Sequence, residues 1–492
     1  MSYVFDGLEP KAVLKNFYDF SQAAPRMNME SGVGAYGGSN FLVEFAKKLG
    51  LDYYQDENLN VIIYKPATPG YEHVPTVMLE GHIDMVCAAD DGVEHDWEHD
   101  PVEIVVDDDK DTVHANGTTL GADDGLGIAM IMAVLESKEI EHPALECVFT
   151  INEETDMYGA LHLHYEKLKS KIVISMDATR ISLGGGGQYD LELLPSYEKI
   201  PAREGDIQGE IRISGLLGGH SGKNAYMERG NANVLVCRVL SELEKKNVPF
   251  RLISFIGGEF TSCAIARNAV CRLAFPEACR DTVAATVEEY AKTFKTELEV
   301  PDPYVELEYK QLAAGEMVSE TMDDASTAKF VNLMITLPDG LNSLHKYFDH
   351  KYDSTVNVGV VEMPEDKNCL RLTACIRYES ASKLVLARDK VCRVCDLCGV
   401  PYRNFEDLAQ WEYNPRSRAY ELAKEIYSDI PGAIGQGCCE MGIFIKNMPG
   451  VDAIGLGPVV DSPHSPKEKF QIGILAEDWE RFVKTLKALK DY

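Results

Sequence analysis

Apolar positions fall into short, β-branched runs separated by longer segments of helical spacing through the first third of the chain. "NVIIY", "TVMLEG", "ECVFTI" and "KIVISMD" read as strands bounded by polar or turn residues. "GLGIAMIMAVLESKEI" and "GALHLHYEKLKS" have helical length and period. Such alternation predicts an α/β layered domain with a mainly parallel central sheet. The pattern changes after Asp177, where "ISLGGGGQYDLELL" leads into alternating segments such as "GEIRISG" and "CLRLTACIRYES", as in an antiparallel sheet with one solvated face. Four consecutive glycines lack the Gly-Lys-Ser/Thr ending of a phosphate loop and open no helix, so they read as a flexible joint. "SRAYELAKEIYSDI", "VDAIGLG" and "PVVDSPHSPKEKF" then give a helix, a strand and a polar loop that resume the first pattern. The expected organisation is a discontinuous α/β domain over 1–190 and 406–492, with an inserted α+β lid domain over 191–405.

Composition narrows the function. At 492 residues the chain exceeds one compact core, and its 45% hydrophobic and 26% charged content are those of a globular protein. A formal net charge of −31 argues against nucleic-acid or anionic-membrane partners, which need clustered Lys and Arg. "MSYVFDGLEPKAVLKNFYDFSQ" has no basic stretch followed by an apolar run, and no long apolar stretch suggests a membrane span, so a cytoplasmic location is expected. The 13 cysteines then read as reduced thiols. Cys392, Cys395 and Cys398 lie at three-residue intervals in an amphipathic helix ended by Gly399, which places them on a buried stripe and not around an iron–sulfur cluster.

Several predicted strands end in residues that a buried strand does not need. "TVMLEGHIDMV" ends in His82 and Asp84, "CVFTINEETDMYGA" in Glu153 and Glu154, and "KIVISMDA" in Asp177. Asp123 and Asp124 occupy a glycine-rich turn ahead of a helix, and His464 sits in a proline-bounded loop. An Asp before a helix is ordinarily a cap. Strand ends of one parallel sheet converge on a single crevice, however, and four carboxylates cannot crowd there ionised without cations among them. Imidazole with carboxylate suits zinc, and a carboxylate between two ions suits a co-catalytic pair.

Taken in order, "GHIDMV", "LGADDGLGIA", "INEETDMYGA", "SMDA", "GGHSG", "RNAV" and "HSP" make the chain resemble the zinc-dependent dipeptidases of the aminoacylhistidine (cytosol non-specific) type, within the wider family of co-catalytic zinc exopeptidases and deacylases. The resemblance runs over nearly the whole chain. It implies two Zn2+ ions, with Mn2+ or Co2+ as alternatives, one held by His82 and Asp177, the other by Glu154 and His464, and Asp123 bridging them. It implies Glu153 as general base and Asp84 as the residue that orients His82. In that family the peptide bond after the bridging aspartate is cis. His220 takes the place of an oxyanion-stabilising histidine, and Asn268, Arg377 and Gly437 those of substrate-binding residues, Asn268 and Arg377 for a terminal carboxylate. A small peptide substrate and a homodimer follow from the same likeness. An N-acyl amino acid deacylase on the same scaffold and a non-catalytic metal-binding protein are the alternatives. One departure concerns the loop from Gly435 to Gly442, which reads "GQGCCEMG" where relatives commonly read "HAGLECG". Likewise Pro-Lys-Glu follows His464-Ser where an acidic residue often comes directly after the proline.

Overall fold

The structure, a computed structural model, describes residues 3–23, 34–259, 261–364 and 367–492. Two compact units emerge: Met1–Gly185 with Trp411–Gly435 and Cys439–Tyr492, and Gly186–Gln410 with Gln436–Cys438.

In the first unit β1 (Asp52–Gln55), β2 (Val61–Lys65), β3 (Val77–His82), β4 (Leu145–Thr150), β5 (Ile172–Ser175) and the strand Asp452–Gly455 form one sheet. Their order is β1, β2, β4, β3, β5 and Asp452–Gly455. The last four run parallel, whereas β2 pairs antiparallel with both β1 and β4. Strands β3, β4 and β5 are buried along their whole length, which explains why they read as unbroken apolar runs and not as alternations. The helix Ala122–Glu136 is buried almost all round, with Leu126, Ile128, Ile131 and Val134 fully inaccessible. Parallel pairing aligns the carboxyl ends of β3, β4 and β5 on one edge, where ligands of such sheets gather.

One expectation changes. "GALHLHYEKLKS" does not form one helix: it holds the turn Tyr158–Leu161 and a 3-10 turn at Tyr165–Lys167. Met157 before it is left-handed at φ 56° and His162 after the first turn leaves helical geometry, so the backbone hydrogen-bond run cannot extend. The four glycines, read as a joint, straddle the division between the two units, which falls between Gly185 and Gly186, and Gly187 has a packing role as well. A Cβ on Gly187 would lie 2.5 Å from the Tyr378 ring and 2.8 Å from the Leu408 carbonyl oxygen, closer than any side chain tolerates.

The second unit carries a nine-stranded antiparallel sheet. It comprises β6 (Gly187–Leu193), β7 (Asp206–Ser214), β8 (Arg251–Gly257), β9 (Ala269–Pro276), β10 (Glu306–Gln311), β11 (Gly340–Leu344), β12 (Tyr352–Glu362), β13 (Arg371–Tyr378) and β14 (Tyr402–Leu408). The order is β10, β7, β9, β8, β12, β13, β6 and β14, with β11 on β12. The helices Ala232–Lys245, Arg280–Glu297, Asp324–Thr336 and Ala381–Cys398 contribute apolar faces to the core, where Phe255, Phe275, Phe294 and Phe330 are buried. Gly399 ends the last of these helices at φ 64°, and the Cys392, Cys395 and Cys398 stripe faces this core with Cys395 buried.

Candidate metal centre and substrate-binding residues

β3 delivers His82 at its last position, buried, and the chain turns sharply to bury Asp84. Nδ1–H of His82 donates to the Asp84 backbone carbonyl at 3.1 Å, while the Asp84 carboxylate lies 3.6 Å from the same nitrogen. That carboxylate instead accepts the backbone N–H groups of Glu153 at 3.1 Å and Glu154 at 3.2 Å. Asp84 thus fixes the turn bearing the two glutamates, and the orientation of His82 comes mainly from a main-chain oxygen. With the Nδ1 proton held by that carbonyl, Nε2, which faces Asp123, is the nitrogen that would give up its proton to a cation and become a ligand.

Asp123 stands at the centre. Its Oδ1 is 3.4 Å from His82 Nε2 and its Oδ2 is 3.2 Å from His464 Nε2. His464 Nε2 is also 3.1 Å from Glu154 Oε2. Candidate ligand atoms of His82, Asp123 and Asp177, of Asp123, Glu154 and His464, and of His82, Glu153 and Glu154 lie within 4.8 Å of one another in each set. The structure therefore brings together His82, Asp123, Glu153, Glu154, Asp177 and His464 from separate stretches of the chain. A cavity of about 80 Å³ opens beside Asp123 and Asp177, walled by Pro458, Val460 and Pro463. Oε1 of Glu154 is buried with no hydrogen-bond partner, as expected of an atom that waits for a cation.

Three carboxylates that support this cluster were not singled out in the sequence for a site role. Glu468 accepts the backbone N–H groups of Leu120 at 2.8 Å, Gly121 at 2.9 Å and Asp123 at 3.0 Å, clamping the turn before the helix. The Asp123–Asp124 peptide bond in that turn is cis. Asp124, buried, points away between Gly81 and Gly127, at each of which a Cβ would fall 2.2 Å from one of its oxygens. Glu80 is buried one strand position before Gly81.

Charge crowding is severe. Burial, reinforced by the charge of Asp123, pushes Asp177 up to about 8. Burial also lifts Glu80 to about 7 and holds Glu153, Asp124 and Glu440 well above the carboxylate range. Asp123 goes the other way: burial opposes ionisation, but hydrogen bonds from His464 and His82 outweigh it. The same hydrogen bond to Asp123, with that to Glu154, raises His464 to about 10. Protonated imidazoles and protonated carboxyls here stand where divalent cations would supply the compensating charge.

The remaining candidates lie in the second unit. His220 Nδ1 accepts the N–H groups of Gly222 at 3.0 Å and Lys223 at 3.1 Å, so the ring proton resides on Nε2. Burial, with the charges of Arg377 and Lys223, pushes His220 down to about 4, leaving a neutral imidazole with an N–H to donate. Arg377 is buried on β13; one terminal nitrogen donates to Cys438 Sγ at 3.0 Å and its Nε has no hydrogen-bond partner. Tyr352 Oη donates to the Gln436 carbonyl at 3.0 Å, tying the stretch with Gly437 to β12. Asn268 is exposed just ahead of β9. Glu440 belongs to the first unit, where it opens the helix Glu440–Asn447 and accepts Thr150 Oγ1 at 2.6 Å.

Comparison with known proteins agrees with this geometry. Residues 78–489 match the model of peptidase family M20/M25/M40. The cytosol non-specific dipeptidase of Escherichia coli (strain K12) is 29% identical over 467 residues, 92% of this chain and 93% of that protein. The crystal structure of aminoacylhistidine dipeptidase from Vibrio alginolyticus superposes with a TM-score of 0.89 at 29% identity, covering 98% of both chains. An aminopeptidase from Bacillus cereus shares the fold, with a TM-score of 0.57 at 14% identity over 98% of this chain and 99% of its own.

Proposed function

Because the chain belongs to peptidase family M20/M25/M40, whose chemistry is hydrolysis of peptide bonds, we propose that it is a di-metal dipeptidase. The observation that carries this reading is Asp123, whose two oxygens face two different histidines, His82 and His464, each with a second carboxylate, Asp177 or Glu154, in reach. His82 and Asp177 would hold one ion, Glu154 and His464 the other, and Asp123 both; zinc suits this donor set, with manganese or cobalt as alternatives. Such a pair, when bound, lowers the pKa of a water and polarises the scissile carbonyl.

Glu153, outside the ligand set, takes a proton from the attacking water and returns it to the leaving amine. His220 donates Nε2–H to the developing oxyanion, and its neutrality lets it do so without first losing a charge. Arg377, with Asn268 and the Gly437 loop, receives the terminal carboxylate of the peptide, for which the unpartnered Nε offers a donor. His220→Ala is expected to lower kcat by roughly 100- to 1000-fold with metal content unchanged, and wild-type turnover would remove the oxyanion role. By likeness to its cytosolic relative the enzyme is assigned to the cytoplasm, and by family resemblance to a homodimer, which sedimentation as a monomer would contradict. Among the described residues no helix is long and apolar enough to cross a membrane.

Elemental analysis with a panel of dipeptides bearing free or acetylated amino termini tests the reading. Metal-loaded protein is expected to cleave the free dipeptides and spare the acetylated ones. Preference for the acetylated set would instead assign a deacylase, and bound metal with no turnover of either set a non-catalytic protein.

A further inference from the structure

A second set of potential ligands is built wholly from the second unit. Asp190 on β6 and Cys375 on β13 are direct register partners across an antiparallel ladder, so their side chains emerge side by side on one face. Cys263, from the loop that follows β8, brings its Sγ to 3.8 Å from Cys375 Sγ. One ligand atom from each of the three lies within 4.8 Å of the others.

The sulfur separation is informative. Two thiolates about 2.3 Å from a tetrahedral ion sit about 3.8 Å apart, whereas a disulfide would bring them to about 2.05 Å. Asp190 is fully inaccessible to solvent. Its Oδ2 accepts Gln188 Nε2 at 2.9 Å and the hydroxyl of Ser262, but its Oδ1 is buried with no hydrogen-bond partner. A buried carboxylate oxygen left unmatched is costly, and a cation among Asp190 and the two sulfurs would satisfy it. Gln188 also lies with Oε1 3.1 Å from Cys263 Sγ, so one side chain braces two of the three candidate ligands, as supporting residues of metal sites do.

Charge completes the picture. Two thiolates, one carboxylate and a divalent ion would leave one negative charge. Arg377, two residues beyond Cys375 and therefore on the same strand face, interacts electrostatically with both thiols and offsets it. We propose that Asp190, Cys263 and Cys375 form a thiolate–carboxylate site for a thiophilic divalent ion such as zinc, with a fourth position left to water. An ion there pins β6, β13 and the loop after β8 together and fixes the strand that carries Arg377. The proposal does not depend on the peptidase reading.

Cobalt is the probe. The metal-stripped full chain, loaded with Co2+ under reducing conditions, is expected to show a near-ultraviolet thiolate-to-cobalt charge-transfer band, which imidazole and carboxylate ligands cannot produce. Cys263→Ser should abolish the band, Asp190→Asn should weaken cobalt binding in the band titration, and Cys392→Ser, on the helix stripe, should leave it intact. Zinc-loaded wild type should hold one metal equivalent more than the Cys263→Ser/Cys375→Ser variant. No band in cobalt-loaded wild type overturns the proposal without reference to any variant. So does a band that survives Cys263→Ser, or one that vanishes with Cys392→Ser.

Discussion

Glu153→Gln is expected to lower kcat by about 100- to 10 000-fold, the contribution of a positioned general base, while the protein keeps its metal. The amide preserves the shape of the side chain and removes only its ability to take a proton. The geometry favours so clean a separation because Glu153 and Glu154 share one turn, both N–H groups held by Asp84, yet differ in what their side chains meet. Oε2 of Glu154 lies 3.1 Å from His464 Nε2, whereas Glu153 forms a set only with His82 and Glu154. Neighbouring substitutions should therefore fail differently, Glu154→Gln through loss of metal and Glu153→Gln through loss of turnover at constant metal. Steady-state kinetics alongside elemental analysis of both variants reads the difference. Wild-type turnover in metal-loaded Glu153→Gln would refute the assigned base.

The parts of this cluster legible in the sequence are those that break a strong local rule. A run such as "TVMLEG" predicts a buried strand, so His82 at its end is conspicuous, as are Glu153, Glu154 and Asp177 after theirs. Register and direction were less accessible. β2 reads like its parallel neighbours but pairs antiparallel, because a strand buried on both faces has the same composition in either direction. Glu468 was hidden for another reason. It acts on the Asp123 turn from 345 residues away, and no periodicity in its polar loop distinguishes a buried clamp from a solvated charge. Gly81 and Gly127 were visible as letters, but their purpose, room for Asp124, exists only once strand and helix are packed. The helical spacing of "GALHLHYEKLKS" misled because the departure from helical geometry at His162 is invisible to a hydrophobic period.

Asp123→Ala should have the most complete effect: loss of both ions and, with them, of turnover. Removing the bridge leaves His82 with Asp177 and His464 with Glu154, two ligands apiece where a structural or catalytic zinc ordinarily keeps at least three from the protein. The accompanying readout is stability against pH. In the metal-free wild type, Asp177 is raised from the ordinary carboxylate range to about 8. The folded form therefore binds more protons than the unfolded one across that interval, so stability falls as pH rises from about 4 toward 8. His464, raised to about 10, adds a loss that begins above the ordinary imidazole value and runs in the same direction. Divalent ions compete with these protons, so their stabilising effect on the wild type should grow over the same interval, as thermal melts of stripped protein with and without zinc at pH 6 and pH 8 would show. In Asp123→Ala combined with Cys263→Ser/Cys375→Ser, which also removes the proposed thiolate site, the melts with and without zinc should coincide at both values. Two tightly held equivalents of metal in that variant would mean that the crowded carboxylates do not need the aspartate as a bridge, and the di-metal reading would fall with it.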